Sequence, residues 1–297
     1  MHRILTALTV TVVMLLAVNG QAADTPTANH ASVTPAVSAM RVRCSGFISD
    51  PIPTNIEVFD GSDNDLFEVF QQFTPGHYVY LRSRNGEVMR VGDKYNLLRR
   101  DTPPRGQVAW MPDYLQRQIE PPQSLYSRQR SKIRALGQPY VNTGTVQVIH
   151  VAPQGAVAKV VDVCGTIHIG DFAVPYQPVS VPSYTANPDF RRFDEPNGKL
   201  EGDIVAANNA VNYLALGDVC YLDIGQNKNV QTGQVYRAYA KFRDHIVEGW
   251  EGIHPRPETP REYLGEVLIL SVQHQSSVGL VVRLVREMAV GDGVELE

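Results

Sequence analysis

The chain repeats itself. Gly76-His77-Tyr78-Val79-Tyr80-Leu81 lies over Gly217-Asp218-Val219-Cys220-Tyr221-Leu222 at an offset of 141 residues, and the same offset brings Gly92 onto Gly233 and Tyr95 onto Tyr236. A second block aligns at an offset of 121. Gly144-Thr145-Val146 meets Gly265-Glu266-Val267, Val151 meets Val272, and the match runs without a gap to Ile169-Gly170-Asp171 over Val290-Gly291-Asp292. A shorter match, Ser45-Gly46-Phe47-Ile48 against Glu201-Gly202-Asp203-Ile204, opens each unit. Three blocks in the same order predict two copies of one module, residues 43–176 and 199–297.

The second copy is the easier to read. Its pattern predicts strands at Leu200 to Ala207, Asp218 to Ile224, Gln234 to Phe242, Leu264 to Gln273, Val278 to Glu287 and Gly293 to Glu297. Val278, Leu280, Val282 and Leu284 alternate, which sets four apolar side chains on one face of a pleated strand, with Gly279 and Arg283 on the other. Gly225 and Gly233 bracket a loop, as do Asn85-Gly86 and Gly92 in the first copy. Their spacing is that of turns, not of a phosphate-binding loop followed by a helix. Six short antiparallel strands in about 100 residues suit a small closed barrel or a strongly curved sandwich, because closure removes exposed edges. The expected fold is therefore mainly β, with two tandem copies of a small antiparallel β-barrel or curved sandwich. Residues 177–198 join them, carrying Pro178, Pro182, Pro188 and Pro196, a density that favours extended chain and spaces the modules. Packing of Phe190 and Phe193 on a module is the alternative.

Compartment is set by the first 22 residues. A weakly basic start, Met1-His2-Arg3, precedes an apolar stretch from Ile4 to Val18 and then Gly20-Gln21-Ala22, the small-residue pattern that a signal peptidase cleaves. This predicts an exported protein, in the periplasm or outer envelope of a bacterium. Cys44 lies too far downstream for a lipoprotein-type anchor. Residues 23–42, rich in Ala, Thr, Pro and Ser, are expected to be a flexible segment. No later stretch reaches transmembrane length. The chain has 27 Lys plus Arg against 31 Asp plus Glu, a formal net charge of −4, which lacks the basic footprint of a nucleic-acid binder.

The run Leu-Gly-Glu-Val-Leu-Ile-Leu-Ser-Val-Gln at 264–273, the Gly-x-x-x-Tyr-Leu and Gly-Gln-Val-Tyr segments before it and the terminal Val-Gly-Asp resemble a known family. They are similar to the C-terminal domain of flagellar assembly protein T and to related C-terminal modules of exported bacterial envelope proteins, some of which carry peptidoglycan-binding LysM domains. The resemblance covers Leu200 to Glu297 well and Cys44 to Tyr176 more loosely. Neither a LysM segment nor the flagellar protein's other domains are present. The resemblance implies a β-rich, non-catalytic module used in assembly or attachment, and it offers no catalytic residues to carry over.

On a repeated scaffold, function is expected where the copies differ. The first copy carries an insertion, residues 99–140, about 20 residues longer than its counterpart. From Arg99 to Arg134 it holds Arg99, Arg100, Arg105, Arg117, Arg128, Arg130, Lys132 and Arg134 against Asp101, Asp113 and Glu120, with Trp110, Tyr114 and Tyr126 among them. Arg117, Arg128, Arg130, Lys132, Arg134, Trp110 and Tyr126 are the candidate binding residues, suited to anionic cell-wall polymers or lipid phosphates. The plain alternative is a solvated hairpin or short helix kept soluble by its charges. The expected partners are a cell-wall polymer or other envelope proteins.

Other constellations carry less. Asp60, Asp63, Asp65 and Glu68 crowd together without calcium-loop spacing, and Asp65 more simply caps a short helix at 66–72. The eight histidines include no zinc-type pair, and His150 reads as a strand residue. Neither a metal nor a cofactor is expected. No nucleophile motif is visible, so the expectation is no enzyme. The alternative is a carbohydrate-active or hydrolytic enzyme with a loop-built site, for which Trp110, Trp250, His245 and Glu248 are the candidates. Of three cysteines, Cys220 aligns with Val79 among apolar neighbours and reads as a buried thiol. Cys44 and Cys164 remain as a candidate disulfide, aligned with Leu200 and Val285. Strand alternation sets them on opposite faces unless a bulge intervenes.

Overall fold

The computed structural model describes residues 37–61, 73–101, 131–208, 213–241, 246–249, 252–255 and 260–297, and for 246–249 and 252–255 the backbone only. The first module contains α1 (Ala39–Cys44), β1 (Phe47–Ser49), β2 (Ile56–Gly61), β3 (Tyr78–Ser83) and β4 (Lys94–Arg100). After them come a helical turn α2 at 131–136, β5 (Gln138–Ala152), β6 (Gly155–Val163) and β7 (Phe172–Pro175). The second contains β8 (Glu201–Ala207), β9 (Tyr213–Leu214), β10 (Val219–Leu222), β11 (Val235–Tyr239), β12 (Ile246–Gly249) and β13 (Gly252–Pro255). It ends with β14 (Tyr263–Val272), β15 (Ser277–Leu284), β16 (Met288–Ala289) and β17 (Gly293–Leu296).

Each module closes into a six-stranded antiparallel barrel. The first runs β2-β3-β6-β5-β4-β7 and back to β2, with β1 added to the outside of β5; the second runs β8-β10-β15-β14-β11-β17 and back to β8. The two rings are the same ring. Val79 pairs with Ala158 and Cys220 with Gly279; Tyr95 pairs with Val146 and Tyr236 with Val267; Leu97 pairs with Ala173 and Ala238 with Val294. The offsets of 141 and 121 thus hold residue for residue in the ladders. Register shifts also recur in place, at Thr145/Val146 and Glu266/Val267 and again at Val148/His150 and Ile269/Ser271. Such bulges sharpen the local bend that lets a six-stranded sheet meet itself.

One part of the sequence alignment is corrected by this topology. The counterpart of β8 is β2, at an offset of 146, not residues 45–48. Val58 donates its N–H to the Asp171 carbonyl as Ile204 does to Asp292, and Ile56 pairs with Ala173 as Gly202 pairs with Val294. Residues 47–49 are an extra strand with no equivalent. The expected Cys44/Leu200 equivalence fails with it.

Each barrel has its own apolar interior. Val58, Val79, Leu81, Leu97, Val146, Ala158, Val160 and Ile167 fill the first, all at most 1% exposed; Ile204, Cys220, Leu222, Ile224, Tyr236, Val267, Ile269 and Met288 fill the second, all fully buried. Small residues fit where strands cross closely. At Gly265, with φ +156°, a Cβ would stand 2.0 Å from the Arg283 carbonyl oxygen; its counterpart Gly144 faces the Asp162 carbonyl at 2.7 Å. The recurring Gly-Asp turn has an electrostatic role. Asp171 and Asp292, each 1% exposed, accept the N–H of His168 and Ala289 through a carboxylate oxygen at 3.0 and 2.7 Å.

The alternating residues of β15 do not line the barrel as one set. Val278, Leu280 and Val282 point outward into a cluster with Val219, Leu268 and Leu270, whereas Leu284, beyond the register shift, packs on the interior. The outward cluster is covered by the rest of the chain. Val42 of α1 is 5% exposed within it, and Val37, Phe47, Val179 and Tyr184 pack around it. Burying a valine contributes about 1.5–3 kcal/mol. The helix therefore begins inside the segment expected to be flexible, with the Ser38 hydroxyl capping it through the Arg41 N–H at 3.2 Å.

The two modules are in direct contact. Ile48, Ile133 and Leu136 of the first meet Val205 of the second in a shared apolar cluster. The Tyr221 hydroxyl donates to the Ser45 carbonyl at 2.8 Å and the Ser276 hydroxyl to the Ile48 carbonyl at 2.6 Å. The proline-rich linker runs along the second barrel as a strap. Its Arg192 meets Glu262 at 2.6 Å, its Asp194 meets Arg237 at 3.2 Å, and the Asn197 N–H donates to Glu295 at 2.8 Å. Tyr184 donates to the buried Glu266, and the Tyr263 N–H reaches the Arg192 carbonyl at 2.7 Å. Proline stiffens this segment, but its polar side chains tie it down. Phe190 lies beneath the Arg283 guanidinium at 5.0 Å, while Phe193 is 58% exposed.

Candidate interaction surfaces

Of the candidate binding residues, Trp110, Arg117, Tyr126, Arg128 and Arg130 lie outside the described residues. Lys132 and Arg134 stand on α2, and the structure gives them different roles. Lys132 is an internal clamp, paired with Asp203 and 3.5 Å from Asp223 on the second module. Lys241 holds the other oxygen of Asp203 at 2.6 Å. Burial raises the Asp203 carboxyl, but the hydrogen bonds from Lys132 and Lys241 outweigh it and hold the group below the usual carboxylate range. Arg134 is exposed. Arg99 is also consumed internally, its guanidinium forking onto both oxygens of Asp171 at 2.7 and 2.8 Å, whereas Arg100 is exposed. Of the four described cations of the insertion, Arg99 and Lys132 fasten the molecule and Arg100 and Arg134 face solvent.

Cys44 and Cys164 are joined in a disulfide with 5.2 Å between their Cα atoms. The face argument against them does not apply, because Cys44 ends α1 and is not on a strand, and Cys164 lies one residue past β6. Arg43 and Asp162 pair beside the bridge at 2.8 Å. Cys220 is free and fully buried inside the second barrel, where burial pushes its thiol up to about 12.

The residues named for the enzyme alternative lie almost entirely beyond what the structure describes. His245, Trp110 and Trp250 lie outside the described residues, as do Asp63, Asp65, Glu68 and the helix expected at 66–72, and Glu248 is described only by its backbone. His150 is an exposed strand residue opposite Val157. Among the described residues, the buried carboxylates Glu57, Asp171, Asp203, Glu266, Asp292 and Glu295 each have a hydrogen-bond or ion-pair partner within the fold. Glu295, fully buried, accepts from the Tyr263 hydroxyl at 2.5 Å, from Arg237 at 3.0 Å and from the Asn197 N–H. Burial raises its carboxyl, but those hydrogen bonds and the Arg237 and Arg261 charges leave it lowered. Glu266 goes the other way, raised by burial beneath the strap. Among the described residues no three His, Cys, Asp or Glu side chains gather as a metal site, and no helix is long and apolar enough to cross a membrane.

A shallow groove of about 450 Å³ lies at one end of the second barrel, lined by Tyr213, Leu214, Leu284, Val285 and Arg286. Val285 is the counterpart of Cys164, so the position that carries the disulfide in the first module is open in the second.

The clearest difference between the copies lies on their outer walls. In the second barrel one row of paired residues crosses four strands, Val219-Leu280-Leu268-Val235. The first three are 5%, 4% and 0% exposed, and Val235 packs on the same cluster. In the first barrel the same row reads Tyr78-Lys159-Gln147-Lys94. Tyr78 is 38% exposed, Lys159 and Lys94 are exposed and Gln147 is half-buried, its amide donating to the Gly92 carbonyl at 3.2 Å. The half-buried Tyr176 continues the row, its N–H donating to the Lys94 carbonyl at 2.9 Å. Ile149 and Val161 flank it, 45% and 44% exposed, where Leu270 is buried and Val282 packs into the covered cluster of the second barrel. None of these residues stood out in the sequence, although reading the two copies position by position would have displayed the change from apolar to polar. Compared with known proteins, the chain matches no protein-family model and no curated sequence.

Proposed function

We propose that this chain is a non-enzymatic binding or assembly protein of the bacterial cell envelope, exported through its N-terminal signal and acting on a cell-wall polymer or on other envelope proteins. The observation that carries the reading is the contrast between the two outer walls. One barrel spends its wall on holding the molecule together, and the other leaves the same wall open to solvent. A duplicated scaffold with one copy structural and the other free is suited to recognition. Within the two closed rings no strand edge is free for pairing, so a partner meets the ring walls through side chains. The resemblance to the C-terminal domain of flagellar assembly protein T points to the same compartment and to attachment, without implying a flagellar role.

The test is co-sedimentation of the chain from residue 23 onward with purified peptidoglycan. It is run beside a variant with Arg128, Arg130 and Arg134 changed to Gln and Lys132 left in place, since Lys132 clamps the modules. Pelleting that weakens with salt supports wall attachment, and its loss in the variant assigns it to the insertion. No pelleting by either form at low salt overturns attachment to this polymer.

A further inference from the structure

We propose that the row Tyr78-Lys159-Gln147-Lys94-Tyr176 on the outer wall of the first barrel binds an anionic polysaccharide. This rests on the binding reading above and names the ligand class for one surface. The residues sit side by side on β3, β6, β5 and β4 and, for Tyr176, one residue past the end of β7. Adjacent strands are ~4.8 Å apart, so the row extends about 19 Å along the curved wall, enough for several sugar rings in an extended chain. Tyrosine at each end offers a ring face with a polar tip, the combination that stacks on the C–H face of a sugar while its hydroxyl stays wet. The two lysines stand two strands apart, about 10 Å, as compact flexible charges suited to carboxylates spaced along a polymer. Between them Gln147 supplies an amide that both donates and accepts. No carboxylate interrupts the row.

Two features distinguish this from an ordinary solvated face. At four of the five ladder positions the other copy is apolar and covered, with Val219, Leu280, Leu268 and Val235, and at the fifth Glu297 stands where this copy has Tyr176, so the cationic and aromatic set belongs to this copy and not to the fold. Exposed Ile149 and Val161 border it, making a mixed apolar and cationic strip of the kind seen at binding surfaces. A second copy of this chain docked face to face would bring lysine against lysine about a two-fold axis, which repels. The charge and the rings together favour an acidic glycan.

The probe is a hexamer of galacturonic acid, with an uncharged glucan hexamer as its partner control, titrated calorimetrically into the full chain from residue 23 onward. Variants are K94Q/K159Q and Y78A, each checked for an unchanged thermal transition. The expected result is saturable binding of the acidic hexamer, weakened about tenfold in K94Q/K159Q and suppressed by salt, with Y78A weakening it as well. Absence of binding overturns the proposal, as does binding that both variants retain. Lysine-dependent binding to vesicles containing anionic phospholipid, with none to the hexamer, also overturns it in favour of a lipid surface. A concentration-dependent dimer abolished by Y78A overturns it in favour of self-association. Peptidoglycan pelleting that persists in K94Q/K159Q while the hexamer fails to bind would sink this inference and leave the envelope reading standing.

Discussion

Removing the bridge between Cys44 and Cys164 should be among the costliest surface changes in this molecule. The two residues are 120 apart in sequence, so the bond closes most of the first module, including the 99–140 insertion, into one loop. The chain-entropy relation for a loop of that size gives about 5 kcal/mol at 25 °C, and residual structure in the unfolded chain brings the expected loss to about 2–5 kcal/mol. The bridge also fixes the end of α1, whose Val42 is buried on the second barrel, so its loss should loosen the contact between the modules as well. The variant to compare is C44A/C164A, which leaves no unpaired thiol. In urea, with a slope near 3 kcal/mol/M for a chain of this size, the midpoint should fall by about 0.7–1.7 M. Adding a reductant should shift the wild type alone, because the buried Cys220 is in its free form in both proteins. A midpoint change below about 0.3 M, or equal sensitivity of both proteins to reductant, would refute the reasoning.

The equivalence of the two walls makes a matched pair of truncations informative: Leu270→Ala should cost about 2–4 kcal/mol because its side chain is 1% exposed, while its counterpart Ile149→Ala, 45% exposed, should cost under about 1 kcal/mol by urea unfolding. Gly265→Ala places a Cβ 2.0 Å from a carbonyl oxygen at φ +156° and should prevent the second barrel from closing, whereas Gly92→Ala, at φ +96° in open space, should cost only about 1–2 kcal/mol; thermal melts separate the two. The Asp203 carboxyl is held below its unfolded value of 3.8, so its pairing with Lys132 and Lys241 contributes stability that is fully present above that value and drains away as pH falls through the lowered one. Asp203→Asn should therefore flatten part of the acid limb of the stability curve below pH 3.8, and an unchanged limb would contradict the clamp.

Much of the fold was legible because a duplicated sequence carries its own control. Strand positions in the second copy were readable from alternation, and the two long offsets survive in the ladders without adjustment. The failures have physical causes. The four-residue match at 45–48 against 201–204 paired residues by identity where topology pairs Glu57 with Asp203, whose surroundings share only an ion-paired carboxylate. The strap reads from sequence as a spacer because proline density describes the stiffness of a segment and says nothing about Arg192, Asp194 and Asn197 finding partners on the barrel. Similarly, counting charges in the 99–140 insertion could not reveal that Arg99 and Lys132 are spent on Asp171 and Asp203. The outer-wall row was hidden for a simpler reason. Tyr78, Lys94, Gln147, Lys159 and Tyr176 are spread over 99 positions and become neighbours only once the barrel closes.

The first barrel's open wall is the proposed place where this molecule meets its partner. Hydrogen–deuterium exchange of the chain with and without an excess of solubilised cell-wall polymer tests it most directly, since it reports the contacted strands whatever the exact ligand. Contact at that wall should slow exchange in peptides covering Tyr78–Ser83, Lys94–Arg100 and Gly155–Val163, with no change across Tyr263–Val272 and Ser277–Leu284. Protection confined to the second barrel would contradict it.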